Sequence, residues 1–280
     1  MIIRNFLKTF LLPAIMLCSC ASMSQQHQLV KIWETDSILK VPESVLYHPG
    51  SKMLFVSNID GKPAEKDLQG SIARVSLDGK KVDNSWALGL SAPKGMGIYN
   101  NTLFVADVDE VVGIALTTGK ITERIPVEGA GFLNDISIDK SGAIYVSDSK
   151  LGNVHRIEKG IVSTFLEKQM GVNGLLAVGD DLYLLVKGSL WKADKSKNLT
   201  KIAGGMDEST DGIEQTTSKD FIVSCWSGAV YYVKSDGNVQ QILDTRPEKV
   251  SSADIGFDAK SNTLYVPTFY GNKVVAYQVK

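Results

Sequence analysis

The 280-residue chain has little cysteine, little histidine and almost no net charge, and each shortage narrows what it can be. Of its three cysteines, Cys18 and Cys20 fall within the first twenty residues, leaving Cys225 alone in the body of the chain. Loss of the first segment would leave no intramolecular disulfide, so even an exported domain would have to be held by its core. A formal charge of -1 carries no electrostatic footprint for nucleic acid. Only three histidines are present. His27 precedes the domain, His48 adjoins a Pro-Gly turn and His155 sits in an outer-strand region. All three read as surface residues, and a His-dependent esterase is disfavoured. Beyond the N-terminal leader no apolar run is long enough to span a bilayer.

The leader itself is informative. Arg4 and Lys8 precede an apolar stretch from Phe10 to Leu17, followed by Leu17-Cys18-Ser19-Cys20. Residues 1–20 read as a secretory signal whose h-region is too short to anchor by itself. Polar residues 21–28 read as a tether, and residues 29–280 as one domain.

Within that domain one unit repeats. Gly131 to Asn153 gives a polar residue, Asn134, then Ile136 and Ile138 in alternation, a turn at Asp139 to Gly142, and the apolar run Ala143 to Val146. Alternation with period two predicts strands, and the Asp/Ser/Gly cluster predicts a hairpin turn. The second strand recurs as LFVS, LFVA, IYVS, LYLL, FIVS and LYVP, giving six copies. All-β repeats of roughly 40 residues are the signature of propeller blades. Outer strands are expected after each copy, except that the sixth ends one strand short. Leu29 to Trp33 forms a strand with no blade of its own. Pairing it with the last blade removes two open edges and closes the ring. The expected fold is an all-β, six-bladed β-propeller.

In such a ring the residue that opens each innermost strand faces the central axis. Those residues are Glu43, Lys94, Asn134, Asn173, Asp211 and Ala253, at intervals of 38 to 51 residues. Two carboxylates and two amide carbonyls form a hard oxygen set suited to Ca²⁺ or another divalent cation, and the absence of His and Cys disfavours zinc. An alternative stays open: the Lys94 ammonium could neutralise Glu43 and Asp211 in place of a metal, leaving a non-catalytic propeller that binds a ligand or partner. Trp226, Phe269 and Tyr270, on loops of adjacent blades, are candidates for an apolar pocket wall. The long charged loop Asn58 to Gly70 is a candidate lid.

The stretches PESVLYHPGSKMLFVSNIDG, FLNDISIDKSGAIYVSD, GVNGLLAVGDDLYLL and TDGIEQTTSKDFIVSCWSG resemble the gluconolactonase and regucalcin (senescence marker protein) family of six-bladed propellers. The likeness spans the whole domain. It implies a catalytic calcium held by Glu43, Asn134, Asn173 and Asp211, with Asp211 as base or nucleophile, Asn134 also orienting substrate, and hydrolysis of a lactone or other small ester. Lys94, Trp226 and Tyr270 would complete the substrate side. Ser44-Val45 after Glu43 and Lys94 in the ring both depart from the family pattern. Leu17 to Cys20 resembles the lipobox of bacterial lipoproteins, which implies lipidation at Cys20 and a membrane-anchored protein facing the periplasm or exterior.

Overall fold

The structure, a computed structural model, describes residues 1–2 and 26–280; the proposed lipidation site Cys20 and most of the leader and tether lie outside the described residues. Six four-stranded antiparallel sheets make up the domain. The first blade runs Pro42–His48, Met53–Asn58, Gly70–Ser76 and Val82–Leu90, and the next four repeat that order from the axis outward. The sixth holds Gly256–Asp258, Thr263–Pro267 and Val274–Val279, with Leu29–Glu34 as its outermost strand. The N-terminal strand therefore closes the ring on the C-terminal one, with Leu29 opposite Val279 and Glu34 opposite Val275.

Closure is reinforced on both flanks. Ahead of the strand, Gln28 exchanges backbone hydrogen bonds with Lys280, and the His27 ring stacks at 3.7 Å on Tyr232 of the fifth blade. Trp33 packs against Tyr265 and over Gly79, where a Cβ would meet the indole at 2.5 Å. Gly79 also holds φ at +72°, so that turn requires glycine twice over. At the axis, Asp254 N–H donates to the Glu43 carbonyl and Val45 N–H to the Asp254 carbonyl, stitching the sixth blade to the first.

The core lies between blades. Phe55, Ile72 and Leu90 of the first pack against Met96, Leu103 and Val112 of the second. Ala106 and Val111 of the second meet Ile136 and Val146 of the third. Each such aliphatic side chain, fully removed from water, stabilises the fold by about 1.5–3 kcal/mol. No blade can bury both faces alone, which is why the ring must close.

Two sequence expectations need correction or refinement. His155, expected at the surface, is buried at 7 % exposure in the strand Asn153–Glu158, with Nε2 unpartnered, because its side chain points into the sheet stack rather than outward. The last residues of the segment read as a tether, His27 and Gln28, are docked on the fifth and sixth blades. Among the described residues no helix is long and apolar enough to cross a membrane.

Candidate functional site

The innermost strand of each of the first five blades breaks register with its neighbour at its opening. The irregularity falls between Pro42 and Ser44, Pro93 and Met96, Leu133 and Ile136, Val172 and Leu175, and Thr210 and Ile213. A bulge re-aims side chains and frees backbone groups. Here it turns Glu43, Lys94, Asn134, Asn173 and Asp211 toward the axis, and in three blades the freed amide is recaptured by a serine of the second strand. Ser44 N–H donates to Ser57 Oγ, Asp135 N–H to Ser147 Oγ and Gly212 N–H to Ser224 Oγ, each at 2.9 Å.

A second set of side chains fixes the approach to the ring. Asp107, at the end of LFVAD, accepts from the amides of Ser91 and Ala92, just ahead of Lys94. Asp148, at the end of IYVSD, accepts from those of Gly131 and Phe132, ahead of Asn134. Asn58 does the same for Lys40, ahead of Glu43. Both devices were written in the repeat as the recurring VS, D and N that end the second strand. They read as ordinary strand ends until the bonds are seen.

Together these elements bring the five polar ring residues into one cavity of about 240 Å³. Ala253, the sixth, is buried in an apolar cluster with Ile59, Ala92 and Phe269, so part of the ring is closed by hydrocarbon. Asn173 Nδ2 donates to Asp211 Oδ1 at 2.6 Å, and Asn134 Nδ2 to Ser149 Oγ at 3.1 Å. Both amide nitrogens are tied off, which leaves the amide oxygens as acceptors. Glu43 is 6 % exposed and its Oε2 is buried without a partner. Burial pushes the Glu43 carboxyl well above the usual carboxylate range, with repulsion from Asp211 and Asp254 adding and Lys94 opposing. Asp211 is raised too, by burial and then Asp254, with the Asn173 bond opposing.

Lys94 does not sit between the carboxylates. Its Nζ donates to the Ala92 carbonyl at 2.8 Å and lies 4.4 Å from the Phe132 ring centroid. It makes no ion pair with Glu43 or Asp211. At 1 % exposure, burial lowers its pKa, while Glu43 and Asp107 pull the other way. The ring thus holds an unpaired buried carboxylate oxygen and several oxygen acceptors, a donor set that fits a hard divalent cation. Among the described residues no group of three or more His, Cys, Asp or Glu is placed to hold a metal, so any ion here relies on the two amides as well as the two carboxylates.

The mouth of the cavity is aromatic. Trp226 and Tyr270 are 42 % and 67 % exposed and line it, both edge-on to buried Phe269. Phe269 holds φ at +49°, a conformation a bulky side chain rarely adopts, which places its ring beneath both. Ile59 and Pro63, from the charged first loop, join the wall, as does Phe132. None of these three stood out in the sequence.

A deeper tier also escaped the sequence reading. One residue past the ring, Asp135 and Asp254 enter the channel, and Glu214 lies further down. Asp135 accepts the amides of Ile136 and Leu175, and Asp254 accepts from Ser44 Oγ. Burial pushes Asp254 up to about 7, the Ser44 bond opposing, and burial followed by Asp254 pushes Glu214 up to about 8.

No family model matches the chain, and no curated protein does. Among solved structures it is similar to a protein provisionally named a gluconolactonase, at TM-score 0.68 and 14% identity over 91% of this chain and 92% of the other. It is also similar to a streptogramin B lyase, at 0.65 and 10% over 91% and 97%. A third likeness is to a catalytically inactive His-to-Ala variant of virginiamycin B lyase from Staphylococcus aureus with quinupristin, at 0.63 and 14% over 90% and 99%. At these identities the likeness establishes the architecture: the chain is a six-bladed β-propeller of the shape shared by these enzymes.

Proposed function

We propose that this protein is a divalent-cation-dependent hydrolase of lactones or other small esters, acting in the cavity at the mouth of the channel. The observation that carries the reading is the buried, unpartnered Oε2 of Glu43 in the same cavity as Asp211, Asn134 and Asn173. Glu43, Asp211 and the two amide oxygens would hold the cation, calcium being the best match to such oxygen ligands. When bound, it supplies Lewis-acid polarisation of the substrate oxygen and acidifies bound water.

The chain's own groups account for the rest. Asp211 is oriented through Oδ1 by Asn173, which leaves Oδ2 to accept a proton or to attack. Asn134 is braced by Ser149 and presents its amide to the substrate. The buried Lys94 places positive charge beside the oxygen that becomes negative in the transition state. Trp226 and Tyr270 hold the apolar part of the substrate and thin the water above it, and the cavity volume limits the substrate to a small molecule.

The lyase likeness raises elimination as a competing chemistry. The variant named above is inactive through loss of a histidine, whereas no histidine of this chain lines the cavity, and that favours hydrolysis. A buried lysine in the ring leaves a second reading, a non-catalytic propeller that uses the mouth to bind a ligand or partner, although the ammonium is turned to Ala92 and not to the carboxylates. Hydrolysis of a lactone and aryl-ester panel, with and without chelator, separates the two. The proposal expects turnover that chelator abolishes and calcium restores, and none from Asp211→Ala. Turnover surviving both changes refutes it, and absence of turnover with full thermal stability in chelator supports the binding reading.

We also propose, from the leader, that the protein is exported and anchored to the bacterial cell envelope by lipid at Cys20. Acyl labelling lost in Cys20→Ser tests this.

A further inference from the structure

Beyond the five ring residues, the cavity of about 240 Å³ offers a substrate little that is polar. Its remaining lining is Ile59, Pro63, Phe132, Trp226, Phe269 and Tyr270, whose side chains carry two polar atoms in all, Trp226 Nε1 and the Tyr270 hydroxyl. The backbone adds few donors. The amides of Ile59, Phe132 and Trp226 are bonded within the fold, to the Val41 carbonyl, the Asp148 carboxylate and the Ser209 carbonyl, and Pro63 has none. Ser149, which touches the ring through Asn134, is spent as well, since its hydroxyl donates to the Val172 carbonyl at 2.6 Å. In the charged first loop Lys62 pairs with Glu65 and Lys66 with Asp109, and that loop gives the cavity only Ile59 and Pro63.

Most of this hydrocarbon forms one arc with a floor. Trp226 follows the second strand of the fifth blade, Phe269 and Tyr270 follow that of the sixth, and Ile59 and Pro63 follow that of the first, which adjoins the sixth. Ile59 and Phe269 pack in turn on Ala253, the one ring position without a polar side chain. Trp226 and Tyr270 are left exposed, so much of their apolar area is free for a ligand. Their edge-on contacts with Phe269, at 5.6 and 4.7 Å between ring centroids, fix both rings before any ligand arrives.

We propose that the cavity selects lactones and esters with an alkyl or aryl body and turns away polyhydroxylated lactones. This selectivity rests on the reading of the ring as the group that engages the ester, and it concerns the rest of the substrate. A methylene moved from water onto the arc gains roughly fourfold in affinity. A hydroxyl placed there gives up its water without finding a partner and loses roughly fivefold or more. Trp226 and Tyr270 can satisfy at most two of the several hydroxyls of a sugar-acid lactone, and both sit at the rim rather than at the floor.

Lactams, which resist hydrolysis, test the wall apart from turnover. Isothermal titration of the full chain in millimolar calcium compares δ-valerolactam bearing a methyl, propyl or pentyl group with the polyhydroxylated glucono-δ-lactam. Affinity should rise roughly two- to fourfold per added methylene, and the pentyl lactam should bind roughly tenfold or more tightly than glucono-δ-lactam. Trp226→Gln combined with Tyr270→Gln should cut that ratio roughly tenfold, with Tm held within about 2 °C because both side chains are exposed. A flat series, equal or tighter binding of glucono-δ-lactam, a ratio unmoved by the double variant, or binding of neither lactam overturns the proposal. Hydrolysis of the matching lactones tests the underlying reading separately. Selective lactam binding without turnover of any lactone upholds the proposal and refutes the hydrolase, whereas turnover of glucono-δ-lactone ahead of the pentyl lactone upholds the hydrolase and overturns the proposal.

Discussion

Replacing Lys94 with Met removes a buried ammonium while keeping most of the side chain's volume, and the effect on calcium binding and the effect on stability should have opposite signs. A single positive charge lining the same cavity as a divalent cation, at a separation on the order of 4–10 Å, opposes it by about 3–8 kcal/mol at an effective dielectric of ~20. Channel water screens much of this repulsion. The net gain on removal is therefore on the order of 1.4–4 kcal/mol, or roughly ten- to a thousandfold tighter calcium binding in Lys94→Met. Without calcium the sign reverses. Glu43 then loses its one nearby positive charge, and the variant should melt below the parent in chelator, since an uncompensated buried charge is costly. Isothermal titration with calcium and paired melting curves with calcium and with chelator read both effects. Calcium affinity unchanged or weakened in Lys94→Met, with Glu43→Gln leaving affinity intact, would refute the assignment of the ring as a cation site.

Ser147→Ala strands the buried amide of Asp135 and should cost about 1–3 kcal/mol, a fall of roughly 2–10 °C in Tm, with weaker calcium binding because the bulge that aims the neighbouring Asn134 is loosened. Trp226→Ala should leave Tm within about 2 °C, since the side chain is 42 % exposed, and raise KM roughly tenfold with kcat little changed. Asp254 has a folded pKa of about 7, above its unfolded value. Its stabilising contribution is complete below pH ~4 and is lost as pH rises through 7. Chelator-treated protein should therefore melt higher at pH 5 than at pH 8, and Asp254→Asn should flatten that slope and raise Tm at pH 8 by several degrees; a slope unchanged by the substitution would contradict the cause given.

The ring and the architecture were legible because repetition makes position equivalent. Once Asn134 is known to open an innermost strand, the spacing of the strand motif carries Glu43, Lys94, Asn173 and Asp211 to the same place, and all five line one cavity. What repetition hides is what differs by one residue. Asp135 and Asp254 look like neighbours of ring residues that should face outward, yet the bulge that turns Asn134 to the axis also brings Asp135 into the channel, and backbone bonds to Glu43 and Val45 of the first blade hold Asp254 there. Phe132, Pro63 and Ile59 are ordinary loop residues in sequence and become wall only through the folding of loops from separate blades. His155 was misplaced for the opposite reason: residue type suggested a surface, and a strand covered on both faces, which buries the consecutive Val154 and His155, decided otherwise. Lys94 was legible as a ring member, but its turn toward Ala92 and Phe132 depends on side-chain geometry that no spacing encodes.

An anomalous difference map from crystals grown with millimolar calcium puts the cation site itself to the test. A single strong peak is expected in the cavity, within coordination distance of Glu43, Asn134, Asn173 and Asp211, with Lys94 still bonded to Ala92. An empty ring with the Lys94 ammonium swung across to Glu43 would contradict the assignment.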